Sequence, residues 1–206
     1  MGAVLERVAG VGAFVVDPAR PGQFAAVRER EDKRATAKLR GMWAIPCETV
    51  EPGESHQSAA ERIFREELQV KGLKDPDDLA SIRLGACELS PGIVLHAYLI
   101  ETAPGARLSL GSHSHEVDSP RWARIDEVLN LPLGNLSFRP GVFEVVTGYL
   151  AFKSSNSHFI PGVYRHYEVR NQIPQEVFDQ LEVDARRIPV LSPIGVHLQP
   201  GLGLSA

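Results

Sequence analysis

The chain has 206 residues, 43% of them hydrophobic, and a formal net charge of -4. That composition suits a globular domain with or without an appendage, and it gives no basic face of the kind that duplex nucleic acid requires. Two cysteines, Cys47 and Cys87, stand without CxxC spacing, which argues against a disulfide scaffold or a structural zinc site.

Near the start, a short apolar run follows Glu6 and Arg7. It fits neither a signal peptide nor a membrane span, so the expectation is a cytoplasmic protein without a membrane partner. Val8 to Val16 reads as a buried strand ending at Asp17-Pro18, with Phe24 to Arg28 as its hairpin partner across Pro21-Gly22. Arg28 to Arg40 is a charged run that reads as a solvated loop, and its cations Arg34 and Arg40 are weak candidates to meet substrate phosphates. Trp43 to Pro46 is a short strand stopped by proline. After the Pro52-Gly53 turn, Ser55 can cap a helix over about 58–68, where Ala59, Ile63, Phe64 and Leu68 fall at helical spacing.

Two strands follow, Ala80 to Leu89 and Ile93 to Glu101, joined by Ser90-Pro91-Gly92. Ala103 to Ser112 has turn residues at both ends. Arg121 to Ile125 is another strand, Asp126 caps a brief helix, and Pro140 opens a helix carrying Val142, Val145, Val146, Tyr149 and Leu150. This order is α+β, a mixed sheet between helices. Ser154 to Ser157 is a polar break, so the chain divides into a domain over 1–153 and an extension over 154–206. In the extension, 163–169 reads as a strand and Gln175 to Arg187 as a helix. Its stripe of Val177, Leu181 and Ile188 packs on the body or on a second subunit, the homodimer reading.

Four residues carry the chemistry: Glu54, Arg62, Glu66 and Glu67. Arg62 and Glu66 are four apart and share a helix face, and Glu67 points to its neighbouring edge. Carboxylates gathered there make an oxygen-rich site suited to magnesium or manganese. A plain alternative is a solvated helix face, with Arg62 in a surface ion pair with Glu66 or Glu61. Cys47 reads as a small buried residue and Glu48 as a surface acid. His113, Ser114 and His115 form a polar loop lip in which His115 is a candidate base.

The segment resembles the Nudix hydrolases. Their box runs Gly, five residues, Glu, seven residues, Arg-Glu, a bulky apolar residue, one residue, Glu-Glu, one residue, Gly and a bulky apolar residue. Six of the nine positions agree: Glu54, Arg62, Phe64, Glu66, Glu67 and Val70. Trp43, Pro46, Gly53 and Ala59-Ala60 agree on the flanks, and Glu116 lies six residues before Trp122, where many members place an extra metal-binding or catalytic Glu. The likeness spans roughly 8–152. It implies a metal-dependent pyrophosphohydrolase acting on a nucleoside diphosphate linked to another moiety, with Mg2+ (or Mn2+) as cofactor and a small nucleotide as partner. It further implies that Glu66 and Glu67 hold the metal, that Glu54 and Glu116 add ligands or support, that Arg62 orients a carboxylate, and that Glu116 is a candidate base.

Three positions depart from the box: Glu48 and Gln69 stand for its glycines, and Ile63 stands for the Glu after the Arg. Isoleucine neither binds metal nor moves a proton. Its place four residues before Glu67 puts the lost carboxylate on the metal-facing side. The sequence therefore supports an attenuated enzyme, or else a weakened fold kept as a nucleotide-binding or protein-interaction module.

Overall fold

The computed structural model describes residues 8–33, 36, 38–90, 92–112, 115–129 and 137–154. The expected strand and helix of the extension lie outside these residues, as do Arg34, His113 and Ser114. Strands β1 (Val8–Val16) and β2 (Gln23–Glu29) are apolar on both faces, and each sends alternate side chains to opposite sides. Phe14, Val16, Phe24 and Ala26 enter one core cluster, while Val11, Ala13, Val15, Ala25 and Val27 enter another. Period-two alternation with apolar residues on both faces requires cover on both faces. Helix α1 (His56–Glu66) supplies it on one side through Ala59, Ala60 and Ile63. Helices α2 (Ile125–Leu129) and α3 (Val142–Ser154) supply it on the other through Val128, Val142, Val145 and Val146. The expected α+β architecture, strands sandwiched between helices, is the one observed.

The strands divide into two sheets. In the five-stranded one, β1 pairs antiparallel with β4 (Cys47–Thr49) and parallel with β7 (Ile93–Leu110). β7 also pairs with β6 (Arg83–Ser90) and, in its second half, with β5 (Leu68–Leu73). The three-stranded sheet orders β3 (Trp43–Ala44), β2 and β8 (Val117–Arg124). Two expectations change here. β1 and β2 are not a hairpin, because the Asp17 carboxylate accepts N–H groups from Ala19 and from Gly105 and turns the chain into the second sheet. The strand expected to end at Glu101 runs on to Leu110, because β5 satisfies its backbone.

Ser55 caps α1 as expected, its hydroxyl accepting the Ser58 N–H at 3.1 Å. The helix ends two residues earlier than the spacing predicts, at Glu66, and β5 begins at Leu68. Asp126 lies inside the first turn of α2 and does not precede it. Among the described residues no helix is long and apolar enough to cross a membrane.

Candidate active site

The end of α1 is fixed from outside. Gly111 and Ser112, just past β7, donate their N–H groups to the carbonyls of Glu67 and Arg65 at 3.0 and 3.1 Å. A Cβ at position 111 would lie 2.3 Å from the Glu66 carbonyl oxygen, so only glycine lets the two backbones approach this closely. Upstream, Gly53 takes φ 80° in the turn before the helix, a conformation that glycine adopts without strain.

Arg62 then ties the turn to the helix. Its guanidinium reaches both Glu54 oxygens at 3.3 and 3.0 Å, Glu48 at 2.8 Å and the Thr49 carbonyl at 2.5 Å. One fork with several donors holding two carboxylates and a carbonyl is work that lysine geometry would not reproduce.

Beneath the helix end, Glu67 is 6% exposed and its Oε2 accepts the Cys47 N–H at 2.9 Å. Burial pushes its carboxyl up to about 8, repulsion from Glu48 adds to this, and Lys38 opposes it only in part. Glu29, at the end of β2, is 2% exposed and lies between two buried cations: Arg139 Nη1 at 3.2 Å and Lys38 Nζ at 3.3 Å. Lys38 also donates to Glu116 at 2.5 Å. That hydrogen bond is the main reason the Glu116 carboxyl lies below its ordinary range. Burial works against the Lys38 charge, yet Glu29 and Glu116 hold its pKa above the usual lysine value. Arg139 Nη1 donates to Cys47 Sγ at 3.0 Å, but burial still pushes the thiol up to about 11, so Cys47 is a neutral packing group and not a nucleophile.

Lys38, Cys47, Glu116 and Arg139 line one cleft together with Lys33 and Glu48, while Glu29 and Glu67 lie behind its wall. Of the expected site residues, Glu116 lies on this wall, and Glu67 meets it through the Cys47 amide. Glu66 stands within electrostatic reach, since it and Glu116 both raise the Glu48 carboxyl. Burial is the first cause of that rise. Glu66 itself bonds Arg65 at 2.9 Å. Glu54 has both oxygens committed to Arg62, so it braces the turn.

Arg40 is exposed, its backbone N–H bonded to Asp32, and it is not on the cleft wall. Glu48 is not a free surface acid: its side chain is 19% exposed and paired with Arg62. Arg62 pairs with Glu48 and Glu54 instead of Glu61 or Glu66. Ile63 is 0% exposed inside the apolar cluster under α1, so its side chain faces the core and not the cleft. The sequence singles out neither Glu29 nor Arg139, and it marks Lys38 only as one cation of the charged Arg28 to Arg40 run. Nothing in the sequence links the three.

The carboxylates supply hard oxygen donors, the chemistry that magnesium and manganese select. Among the described residues no three His, Cys, Asp or Glu side chains stand together as a ready metal shell. The pairings above account for this, because Glu48 is held by Arg62, Glu116 by Lys38 and Glu67 by a backbone amide.

A family model described as the NUDIX domain matches residues 6–143. The chain belongs to the Nudix family. Its fold is similar to that of the MutT protein from Methanosarcina mazei Go1, with 18% identity, a TM-score of 0.52, and 76% of this chain and 100% of that one covered. It is also similar to a bifunctional NMN adenylyltransferase/ADP ribose pyrophosphatase from Francisella tularensis complexed with AMP and a Mn ion, with 13% identity, a TM-score of 0.53, and 73% and 43% covered. A third is the NUDIX domain of Shewanella oneidensis NrtR complexed with ADP ribose, with 13% identity, a TM-score of 0.50, and 71% and 88% covered. At these identities the likeness is one of fold. Among curated proteins none matches this chain.

Proposed function

We propose that this protein hydrolyses a phosphoanhydride bond in a small nucleotide, a nucleoside diphosphate linked to another moiety, with attenuated turnover. The observation that carries this reading is that Glu48 and Glu116 line one cleft, with Glu67 joined to its wall through the Cys47 amide and Glu66 within electrostatic reach of Glu48. Family membership supports the reaction class. The AMP and ADP ribose bound by two fold neighbours support a nucleotide substrate.

Mg2+ (or Mn2+) fits the donor chemistry, with Glu66 and Glu67 as its holders and Glu116 as a further ligand. When bound, such an ion neutralises phosphate charge and raises the acidity of a bound water. The chain's own groups do the rest. Arg62 and Glu54 keep the turn before α1 rigid, which fixes Glu48 and the Cys47 amide against Glu67. If Glu116 is not a ligand, it is the group that can accept the proton of an attacking water. Lys33 on the wall offers a positive charge to a phosphate.

The test is turnover of a nucleotide panel in magnesium and then manganese, read as released phosphate or pyrophosphate. Wild-type protein turns over at least one diphosphate-linked nucleotide, and Glu67→Gln lowers the rate by roughly a hundredfold or more. No turnover with any substrate overturns the reading. One observation favours a second reading: Ile63 removes a box carboxylate and fills the core instead. A nucleotide-binding module would retain nucleotide in equilibrium dialysis with no turnover to lose.

A further inference from the structure

The cleft already contains its own cation. Lys38 is 5% exposed, and its ammonium lies 2.5 Å from Glu116 Oε2 and 3.3 Å from Glu29 Oε2. That second Glu29 oxygen is buried and makes an ion pair but no hydrogen bond. Two carboxylates facing one compact charge, one of them imperfectly satisfied, is the arrangement that a small hard cation otherwise completes.

The segment delivering Lys38 is held in place. Lys33 and Lys38 exchange backbone hydrogen bonds at 3.0 and 3.2 Å. Arg139 donates to the Thr36 carbonyl at 3.2 and 2.6 Å while gripping Glu29. Arg139 thus anchors both the carboxylate and the loop that carries its partner lysine.

Charge balance sharpens the point. Glu29, Glu48, Glu67 and Glu116 face Lys38, Arg139 and Arg62, so the cleft's acids are largely neutralised from within. A divalent ion arriving beside Glu116 meets the Lys38 ammonium at contact distance, where like charges repel strongly in a half-buried setting. Lysine is suited to yield, since its charge rides on a flexible stem with rotatable donors.

We propose that Lys38 is a built-in counterion of this cleft: its ammonium holds the place of a divalent cation between Glu29 and Glu116, and metal binds at that wall only when Lys38 is displaced. This deepens the metal-dependent reading above and rests on it. It also gives a reason, separate from Ile63, for weak metal loading. The site is self-neutralised at rest and opens to metal by a lysine swing.

The experiment titrates the full chain with Mn2+ alone, without nucleotide, and follows free manganese by electron paramagnetic resonance. Lys38→Met binds Mn2+ about tenfold or more tighter than wild type, because the competing charge is gone. Lys38→Arg, which keeps the charge, stays as weak as wild type. Adding Glu116→Gln to Lys38→Met removes the gain. Equal or weaker binding by Lys38→Met, with wild-type binding still lost in Glu67→Gln, overturns the Lys38 role and leaves the metal site standing. No manganese binding by wild type or Lys38→Met overturns both.

Wild-type protein supplies a second readout that needs no folded variant. Acetylation of Lys38 by acetic anhydride, which transfers one acetyl group to the amine and releases acetate, is read by mass spectrometry; it is suppressed without metal and rises severalfold at saturating Mn2+. Unchanged protection at saturation overturns the proposal.

Discussion

Ile63 and Glu67 stand one helical turn apart at the inner side of α1, and both are buried, yet their surroundings are opposite. Ile63 is 0% exposed among Val11, Val15, Ala59 and Leu68. Glu67 is 6% exposed and lies beside Glu48, Lys38 and Glu29, with a backbone amide on one oxygen. The first is stabilised by removing apolar surface from water, which tolerates no charge. The second is tolerated because burial and the neighbouring acids push its carboxyl up to about 8, which keeps it largely protonated near neutral pH, while Lys38 and the Cys47 N–H oppose this only in part. A departure from the family box at position 63 therefore lands in the core, while the acids that remain form a network with cations of their own.

Breaking the charged side should cost most. Arg139→Met strips Glu29 of one of its two cations, and a buried pair broken from one end loses roughly 3–5 kcal/mol. Urea denaturation followed by circular dichroism checks this, and a loss under about 1 kcal/mol would show the network to be dispensable.

On the apolar side, Ile63→Ala should lose about 2–4 kcal/mol by leaving a cavity. Ile63→Glu, which restores the box, should destabilise at least as much and bring no gain in turnover, since that side chain enters the core. A stable, faster Ile63→Glu protein would show instead that position 63 opens to the cleft.

Glu144, at the start of α3, is another buried acid. Burial raises its carboxyl to about 7, and backbone N–H groups only partly offset this. A carboxyl raised on folding stabilises the native state while protonated, so its contribution is complete below the unfolded value and fades as pH rises through about 7. Stability should fall between pH ~5 and ~8 by up to about 3 kcal/mol, and Glu144→Gln should flatten that slope. Thermal melts across this range, wild type against variant, decide it.

Arg62→Met should lose roughly 1–3 kcal/mol and slow any turnover by loosening Glu54 and Glu48. Arg62→Lys should recover the charge but not the fork, so kinetics separate pairing from geometry.

The smallest effect belongs to a second polar cluster, away from the cleft. There, Arg83 donates to His96 Nδ1 at 2.7 Å, and the His56 ring stands 4.7 Å from that of His96. Burial first, then Arg83, holds His96 down at about 4. Its contribution is complete above the ordinary histidine range and fades as pH falls toward 4, so NMR titration should find its ring neutral throughout the neutral range.

Much of this was legible in sequence because it is periodic or adjacent. Alternating apolar residues in Val8–Val16 place strand faces, Ser55 and Ala59 to Phe64 place the helix, and the order Glu54, Arg62, Glu66, Glu67 follows from spacing along one turn and one helix. What the chain alone could not show depends on partners brought from afar. Glu29, Lys38, Glu116 and Arg139 lie on four separate segments, and only the meeting of the β2 end, the following loop, the start of β8 and the approach to α3 makes them a network. The split of β1 and β2 into different sheets was hidden for the same reason, since a carboxylate at Asp17 bonding Gly105 is a tertiary event. Sequence determined the family, the layers and the order of the carboxylates, because local spacing fixes these. Tertiary structure decided which carboxylates are already neutralised and that Ile63 faces the core, because charge balance and burial belong to neighbours in space.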